Sequence, residues 1–119
     1  MEIESQRRDM NIGPFDHVYS ALGTCGTCAG LVVGFAMTGA PGMVTGVQVA
    51  SPIIANRLTA VYLVRKTGQL IESCLGPESP RGPAARAPRS LRITHDYLGA
   101  GYAQYGAAGA RSWPFSGRR

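Results

Sequence analysis

The segment LGTCGTCAGLVVGF, residues 22–35, contains four glycines, two threonines and two cysteines and ends in an apolar run. Three different functions use such a pattern. Glycines and threonines form anion-binding turns where a helix begins. The CxxC sequence at 25–28 is typical of thiol redox motifs, and the G-x-x-x-G-x-x-x-G spacing at 26–34 lets membrane helices pack closely. The surrounding sequence is needed to weigh these three functions.

Apolar and polar runs around this segment predict alternating strands and helices. FDHVYSAL predicts a strand over 15–22, TCAGLVVGFAM a helix over about 27–37, and VTGVQVAS a second strand over 44–51. After Pro52, apolar residues recur at helical spacing up to residue 76. We therefore expect a βαβα unit of the α/β class, with parallel strands, as part of a three-layer αβα sandwich.

The second predicted helix has an apolar side and a polar side. We expect the apolar side to face the core and the polar side to face solvent. The expected core residues are Ile54, Leu58, Val61, Leu63 and Leu70, and the expected solvent-facing residues are Asn56, Arg57, Arg65, Lys66 and Gln69.

Composition divides the chain into five segments. They are a polar leader that we expect to be frayed (1–14), the βαβα unit with the glycine turn (15–76), a Pro/Arg-rich connector (77–90), a strand followed by a Gly/Tyr-rich segment (91–109), and an Arg/Ser-rich tail (110–119).

Charge is distributed unevenly between these segments. Residues 1–80 carry five basic and six acidic side chains, a net charge of −1, whereas residues 81–119 carry seven arginines and one acidic residue, a net charge of +6. These arginines alternate with Pro, Gly and Ser, and few aromatic residues lie between them to stack on bases. A solvated segment is therefore expected, and we expect no nucleic-acid partner.

Three cysteines, Cys25, Cys28 and Cys74, are present, and the first eleven residues are too polar for a signal peptide. Free thiols in a reducing cytoplasm fit this pattern. Two neighbouring cysteines alone do not complete a zinc site, and neither His17 nor His95 stands at ligand spacing from them. We therefore expect no metal site.

A membrane hairpin is one alternative for this sequence. No charged residue occurs from Val18 to Asn56, so helices over about 18–38 and 43–64 would be long enough to span a bilayer. Pro41 and the polar residues of the glycine turn oppose this hypothesis. Buried parallel strands also read as uncharged apolar runs, so we expect no membrane partner.

A thiol redox module is a second alternative. Cys25 and Cys28 would lie where a strand meets a helix N-terminus, a position that lowers the pKa of a thiol. Only 24 residues precede Cys25, too few for the βαβ element that leads into thioredoxin-like motifs. Two incidental small residues explain the pattern better than a redox role does.

An anion-binding turn is the third hypothesis. Gly23, Gly26 and Gly30 would let a phosphate approach the backbone, and Thr24 and Thr27 would supply hydroxyl groups at the start of the helix. The spacing is neither G-x-G-x-x-G nor G-x-x-x-x-G-K-[ST], which disfavours dinucleotide and P-loop sites. A tight turn with ordinary threonine capping is an equal alternative on spacing alone.

A family resemblance favours the anion-binding turn. ALGTCGTCAGLVVGFA, residues 21–36, resembles the phosphate cup of the fold-type II pyridoxal-phosphate enzymes. It is most similar to the D-cysteine desulfhydrase and 1-aminocyclopropane-1-carboxylate deaminase family, in which a strand ends in a G-[ST]-G-G-T-x-A-G-like loop. TGVQVAS is similar to the family's next strand, and DYLGAGYAQYGAAG, residues 96–109, resembles its Asp-Tyr-…-Gly-Tyr-Gly segment. The resemblance implies a fragment of the large domain.

The resemblance also implies roles for individual residues. Cys25 stands where the family usually has glycine, so we expect a tighter or strained backbone there. Tyr102 matches the catalytic tyrosine near the cofactor ring, although Ala103 follows it where the family has glycine. The residues implied to hold the phosphate of pyridoxal 5'-phosphate are Gly23, Thr24, Cys25, Gly26 and Thr27.

The chain has one lysine, Lys66, whereas the family binds its cofactor through a Schiff-base lysine in a Gly-Asn-Lys-like motif that is absent here. Lys66 lies on the polar side of the second predicted helix, where solvation explains it. The family acts on small amino acids, releases ammonia and forms homo-oligomers. We expect this chain by itself to be inactive and to self-associate through unpaired strand edges.

Overall fold

The computed structural model describes residues 2–40, 42–75 and 87–99 of the chain. The elements in chain order are α1 Glu2–Asp9, β1 His17–Leu22, α2 Gly26–Thr38, β2 Met43–Gln48, α3 Arg57–Leu75, a 3₁₀ helix Ala87–Ser90, and β3 Leu91–Thr94.

The strands form one parallel sheet in the order β1-β2-β3. His17 pairs with Met43 at the start of β1, and Leu22 pairs with Gln48 at its end. Strand β3 begins beside β2, where Leu91 pairs with the second residue of that strand. The described residues therefore form a small α/β domain, and the order of strands and helices predicted from residue 15 onward, with parallel pairing, is confirmed.

Helices α2 and α3 lie on one face of the sheet. Helix α2 packs on β1 and β2 and also against α3. Two successive right-handed crossovers in the same direction place their helices on the same face. Side chains of β1 alternate accordingly, because Val18 and Leu22 face the helices whereas His17 and Tyr19 point away and are exposed.

The core fills the space between the sheet and these two helices. Its largest fully buried side chains are Phe35, Leu22, Gln48, Val32, Val33, Val44, Val64, Cys25 and Cys28. Gln48 is the polar member of this set, and its amide needs hydrogen-bond partners because burial removes its contact with water.

The polar leader does not fray as the sequence predicts, because residues 2–9 form α1. Glu4 is only 3 % exposed and forms a salt bridge with Arg7 at 3.1 Å, one helical turn away. Arg7 Nη1 also donates to the Ile12 carbonyl oxygen at 2.6 Å. Local ion pairing thus satisfies polar groups in a helix whose sequence lacks an apolar period.

The predicted apolar side of α3 is only partly buried, since Val61 and Leu63 are half-buried against the core. The fully buried residues of this helix are Ala60, Val64 and Gly68, which recur every four residues and so share one face. Leu58 is 84 % exposed and Leu70 is 64 % exposed. Helix α3 packs against α2, and small residues on its buried face are compatible with close helix packing.

The two helices that the membrane hairpin requires are also not the observed secondary structure. Residues 18–22 and 43–48, which it assigns to two helices, lie in strands that pair with each other. Within the described ranges, no helix has the length and apolarity needed to cross a bilayer.

We expect Gly46→Ala to destabilise the fold. An added Cβ at Gly46 would lie 3.0 Å from Leu22 Cδ1, 3.2 Å from Leu22 Cβ and 3.3 Å from Cys28 Sγ. Overpacking of this kind costs about 1–2 kcal/mol after the gain from removing a strand glycine. Urea unfolding followed by circular dichroism measures the change.

Gly30→Ala is the matched control, because Gly30 is exposed on α2 and an added Cβ there would meet no atom within 4 Å. We expect this variant to gain roughly 0.5–1 kcal/mol of stability from helix propensity. Equal effects of the two substitutions would contradict close packing at Gly46.

Candidate functional site at the carboxyl edge of the sheet

The three parallel strands end at one edge of the sheet. Leu22, Gln48 and Thr94 are their last residues, and the segments that follow them contain residues 23–25 and 49–56 together with His95. Ligands of open α/β sheets bind in the crevice outside the carboxyl ends of the strands. This edge is therefore the candidate site.

The loop between β1 and α2 turns at a single strained residue. Cys25 is the N-cap of α2 and has φ 67° and ψ −6°, the left-handed region. A residue other than glycine loses roughly 1–2 kcal/mol in this conformation. The expected strain at this position is confirmed. Its side chain is 2 % exposed, and burial among core residues holds it in place.

Helix α2 begins without a side-chain cap. Among the described residues no side chain forms a capping hydrogen bond at its N-terminus. The Ala29 N–H donates to the Cys25 carbonyl oxygen at 2.9 Å, so the N–H groups of residues 26–28 precede the first intrahelical bond. Ordinary threonine capping, the alternative on spacing alone, is therefore wrong.

Helix α3, unlike α2, has a side-chain cap at its N-terminus. Asn56 Oδ1 accepts a hydrogen bond from the Thr59 N–H at 2.9 Å, which is standard N-capping. One helix N-terminus at this edge is therefore capped by its own asparagine, whereas no side chain in the described part of the chain accepts from the first N–H groups of α2.

The loop before α2 is open around its glycines. A Cβ added at Gly23 would meet no atom within 4 Å, and one added at Gly26 would meet only Thr24 Oγ1, at 3.9 Å. Thr24 and Thr27 are both exposed. Packing among the described residues therefore leaves the backbone and both hydroxyl groups accessible to an anion.

The two loop cysteines belong to the core. Cys28 is fully buried, and its Sγ lies 3.9 Å from the Ala21 carbonyl oxygen, while Cys25 Sγ lies 3.6 Å from the Ile54 carbonyl oxygen. Burial raises the pKa of both thiols. The redox alternative expects a lowered thiol pKa at the start of α2, and this expectation is wrong.

The remaining predicted residues lie elsewhere. Lys66 is exposed, as expected, and its Nζ lies 5.9 Å from the ring centroid of Tyr62. It stands nine residues after the start of α3, about 13 Å along the helix axis. Tyr102 lies outside the described residues. The described ranges contain no group of three or more His, Cys, Asp or Glu that would hold a metal ion.

Sequence reasoning missed a polar pair at the same edge. Gln48, the last residue of β2, contacts His95, the first residue after β3. The spacing of His95 from the cysteines bears only on metal binding, not on this contact. The sequence does contain one indication of this pair, since each residue lies where a strand ends and such ends meet at one edge of a parallel sheet.

The chain matches no protein-family model and no curated protein. The resemblance to the pyridoxal-phosphate enzymes therefore rests on the quoted sequence segments.

We expect one of the three thiols to react rapidly with Ellman's reagent in the native protein. Cys74 is exposed, whereas Cys25 and Cys28 are buried, and buried protonated thiols are poor nucleophiles. Reaction of the other two should require unfolding in urea. Cys74→Ala should abolish the rapid phase, and a rapid phase that persists in this variant would contradict burial of the CxxC cysteines.

Stability should fall at alkaline pH because of the same two thiols. Their pKa is raised in the folded chain, so above about pH 8.5 the unfolded chain loses thiol protons that the native state keeps. The stabilisation is complete below that pH and is lost as the pH rises through the raised pKa values. Urea unfolding across this range measures the slope.

Cys25→Gly combined with Cys28→Ala should reduce this alkaline slope, since both buried thiols are then absent. Cys74→Ala is the control and should leave the slope unchanged. An undiminished slope in the double variant would show that other groups cause the alkaline loss.

Proposed function

We propose that residues 23–27 bind the phosphate group of a phosphorylated ligand, and that this ligand is pyridoxal 5'-phosphate, as the family resemblance implies. The observation that carries the proposal is the uncapped N-terminus of α2 at the carboxyl edge of a parallel sheet. Helix N-termini attract anions through free N–H groups and the helix dipole.

The donor set of the loop fits a phosphate. Backbone N–H groups of residues 26–28 would donate to its oxygens, and the exposed Thr24 and Thr27 hydroxyls would add two side-chain donors. The open space at Gly23 would let the anion approach the backbone. Cys25 would contribute through its backbone conformation, since its side chain is buried.

The chain fits the phosphate end of the cofactor but not its covalent attachment. Pyridoxal phosphate, when bound in such enzymes, supplies an electron sink for carbanion chemistry. The covalent link requires a lysine, and Lys66 lies on the exposed side of α3 beside Tyr62. We therefore propose that this chain holds the cofactor phosphate and that, by itself, it does not catalyse the reaction.

The parent activity in this proposal is that of a D-cysteine desulfhydrase or a 1-aminocyclopropane-1-carboxylate deaminase, which release ammonia from a small amino acid. The βαβα unit would form part of a three-layer large domain. Tyr19, 69 % exposed on the face of the sheet opposite α2 and α3, marks where a further layer of helices would pack. Exposed surface of this kind favours self-association.

Binding is tested by fluorescence titration with pyridoxal phosphate, with inorganic phosphate as competitor. We expect a dissociation constant of about 1 mM, because a few charge-assisted hydrogen bonds are offset by the entropy cost of association. Thr24→Ala and Thr27→Ala should each weaken binding about tenfold. Thr67→Ala, a change of the same type on α3, is the matched control.

Two results would contradict the proposal. One is binding that phosphate does not displace or that Thr67→Ala weakens as much as Thr27→Ala. The other is release of sulfide or ammonia from D-cysteine or the cyclopropane amino acid by this chain. Borohydride reduction followed by mass spectrometry reports any covalent adduct on Lys66, with Lys66→Ala as the blank.

A further inference from the structure

Gln48 and His95 form a hydrogen-bonded pair at the carboxyl edge. Gln48 is 1 % exposed, and its Oε1 lies 2.5 Å from His95 Nδ1. The other end of the same amide, Nε2, donates to the Ala50 carbonyl oxygen at 2.9 Å. Both polar groups of this buried side chain are therefore satisfied.

The Ala50 contact fixes which atom of His95 carries the proton. A carbonyl oxygen only accepts hydrogen bonds, so the Gln48 atom facing Ala50 is the amide nitrogen and the atom facing His95 is the oxygen. His95 Nδ1 must then donate. In the neutral imidazole this leaves Nε2 as an acceptor with a free lone pair.

The pair lies beside the proposed phosphate loop. Gln48 is in register with Leu22, the residue immediately before Gly23, and the Leu22 carbonyl oxygen accepts from the Val49 N–H at 3.1 Å. Neighbouring strands are about 4.8 Å apart. The His95 ring therefore lies within about two strand spacings, roughly 10 Å, of the loop before α2.

The carboxylate next to His95 in the sequence, that of Asp96, forms a local hydrogen bond of its own. Asp96 Oδ2 accepts a hydrogen bond from Thr94 Oγ1 at 2.8 Å. His95 is itself exposed, so its ring is held at Nδ1 by a buried amide while the rest of it remains accessible. This combination of a fixed orientation and an accessible acceptor is typical of a binding residue.

We propose that His95 is a second binding residue of the carboxyl edge and that its Nε2 accepts a hydrogen bond from a hydroxyl or N–H group of a ligand whose phosphate lies on residues 23–27. Gln48 is its positioning residue. The inference rests on the proposed phosphate site and adds a requirement for the ligand, which must carry a hydrogen-bond donor within about 10 Å of its phosphate.

The tautomer is tested without any ligand by ¹⁵N–¹H correlation spectra of the imidazole rings near neutral pH. The chain has two histidines, and His17, exposed on β1, is the internal reference. We expect His95 to be predominantly Nδ1-protonated and His17 to show the tautomer mixture of a solvated ring. Gln48→Leu should remove the difference, because leucine offers no acceptor to His95 Nδ1.

A solvent-like tautomer mixture at His95 in the unsubstituted protein would overturn the inference. If Gln48→Leu does not fold, the comparison of His95 with His17 in the unsubstituted protein still decides it, since that measurement needs no variant.

Binding supplies the second test, with inorganic phosphate and pyridoxal phosphate as probes. His95→Phe should leave phosphate binding unchanged and weaken pyridoxal phosphate binding roughly threefold to tenfold, the effect of one neutral hydrogen bond. His17→Phe is the matched control and should change neither. If phosphate binds and His95→Phe has no more effect than His17→Phe, this inference alone is overturned. If neither probe binds, the proposed function fails and the inference fails with it.

Discussion

The close approach of α2 to β2 at Gly46 is the contact on which the rest of this structure depends. Because β2 has no side chain at that position, Leu22 and Cys28 fill the space between strand and helix at distances that leave no room for a methyl group. Helix α2 is thereby fixed on β1 and β2. Its first turn consequently lies at the carboxyl edge, directly after the end of β1, where its N–H groups are available to a ligand.

The same packing maintains the strain at Cys25. A left-handed residue other than glycine is unfavourable by roughly 1–2 kcal/mol, and such a conformation persists only where the surrounding structure holds it. Here the buried side chain of Cys25 is enclosed by the core. The chain therefore turns from strand to helix within three residues, and no side chain of the described ranges caps the first turn of α2. Asn56 closes the corresponding turn of α3.

Burial also affects whether the two CxxC thiols are suited to redox chemistry. The spacing of the two cysteines is the same in a redox motif and in a tightly packed turn, and only their environment distinguishes the two. Desolvation raises the pKa of both thiols, the opposite of what a redox motif needs. The fold also places glycines differently, since Gly26 and Gly30 of this segment are exposed while Gly46 of β2 is buried.

Local periodicity and short connections encode the βαβα order from residue 15 onward, the parallel sheet and the glycine turn, because they leave few alternatives for such a unit. Tertiary structure alone decided which side of α3 is buried. Close helix packing selects small residues such as Ala60 and Gly68 over the more apolar Leu58. Tertiary structure also joined Gln48 to His95 across 47 residues. That pairing follows from the alignment of two strand ends, which no local pattern encodes.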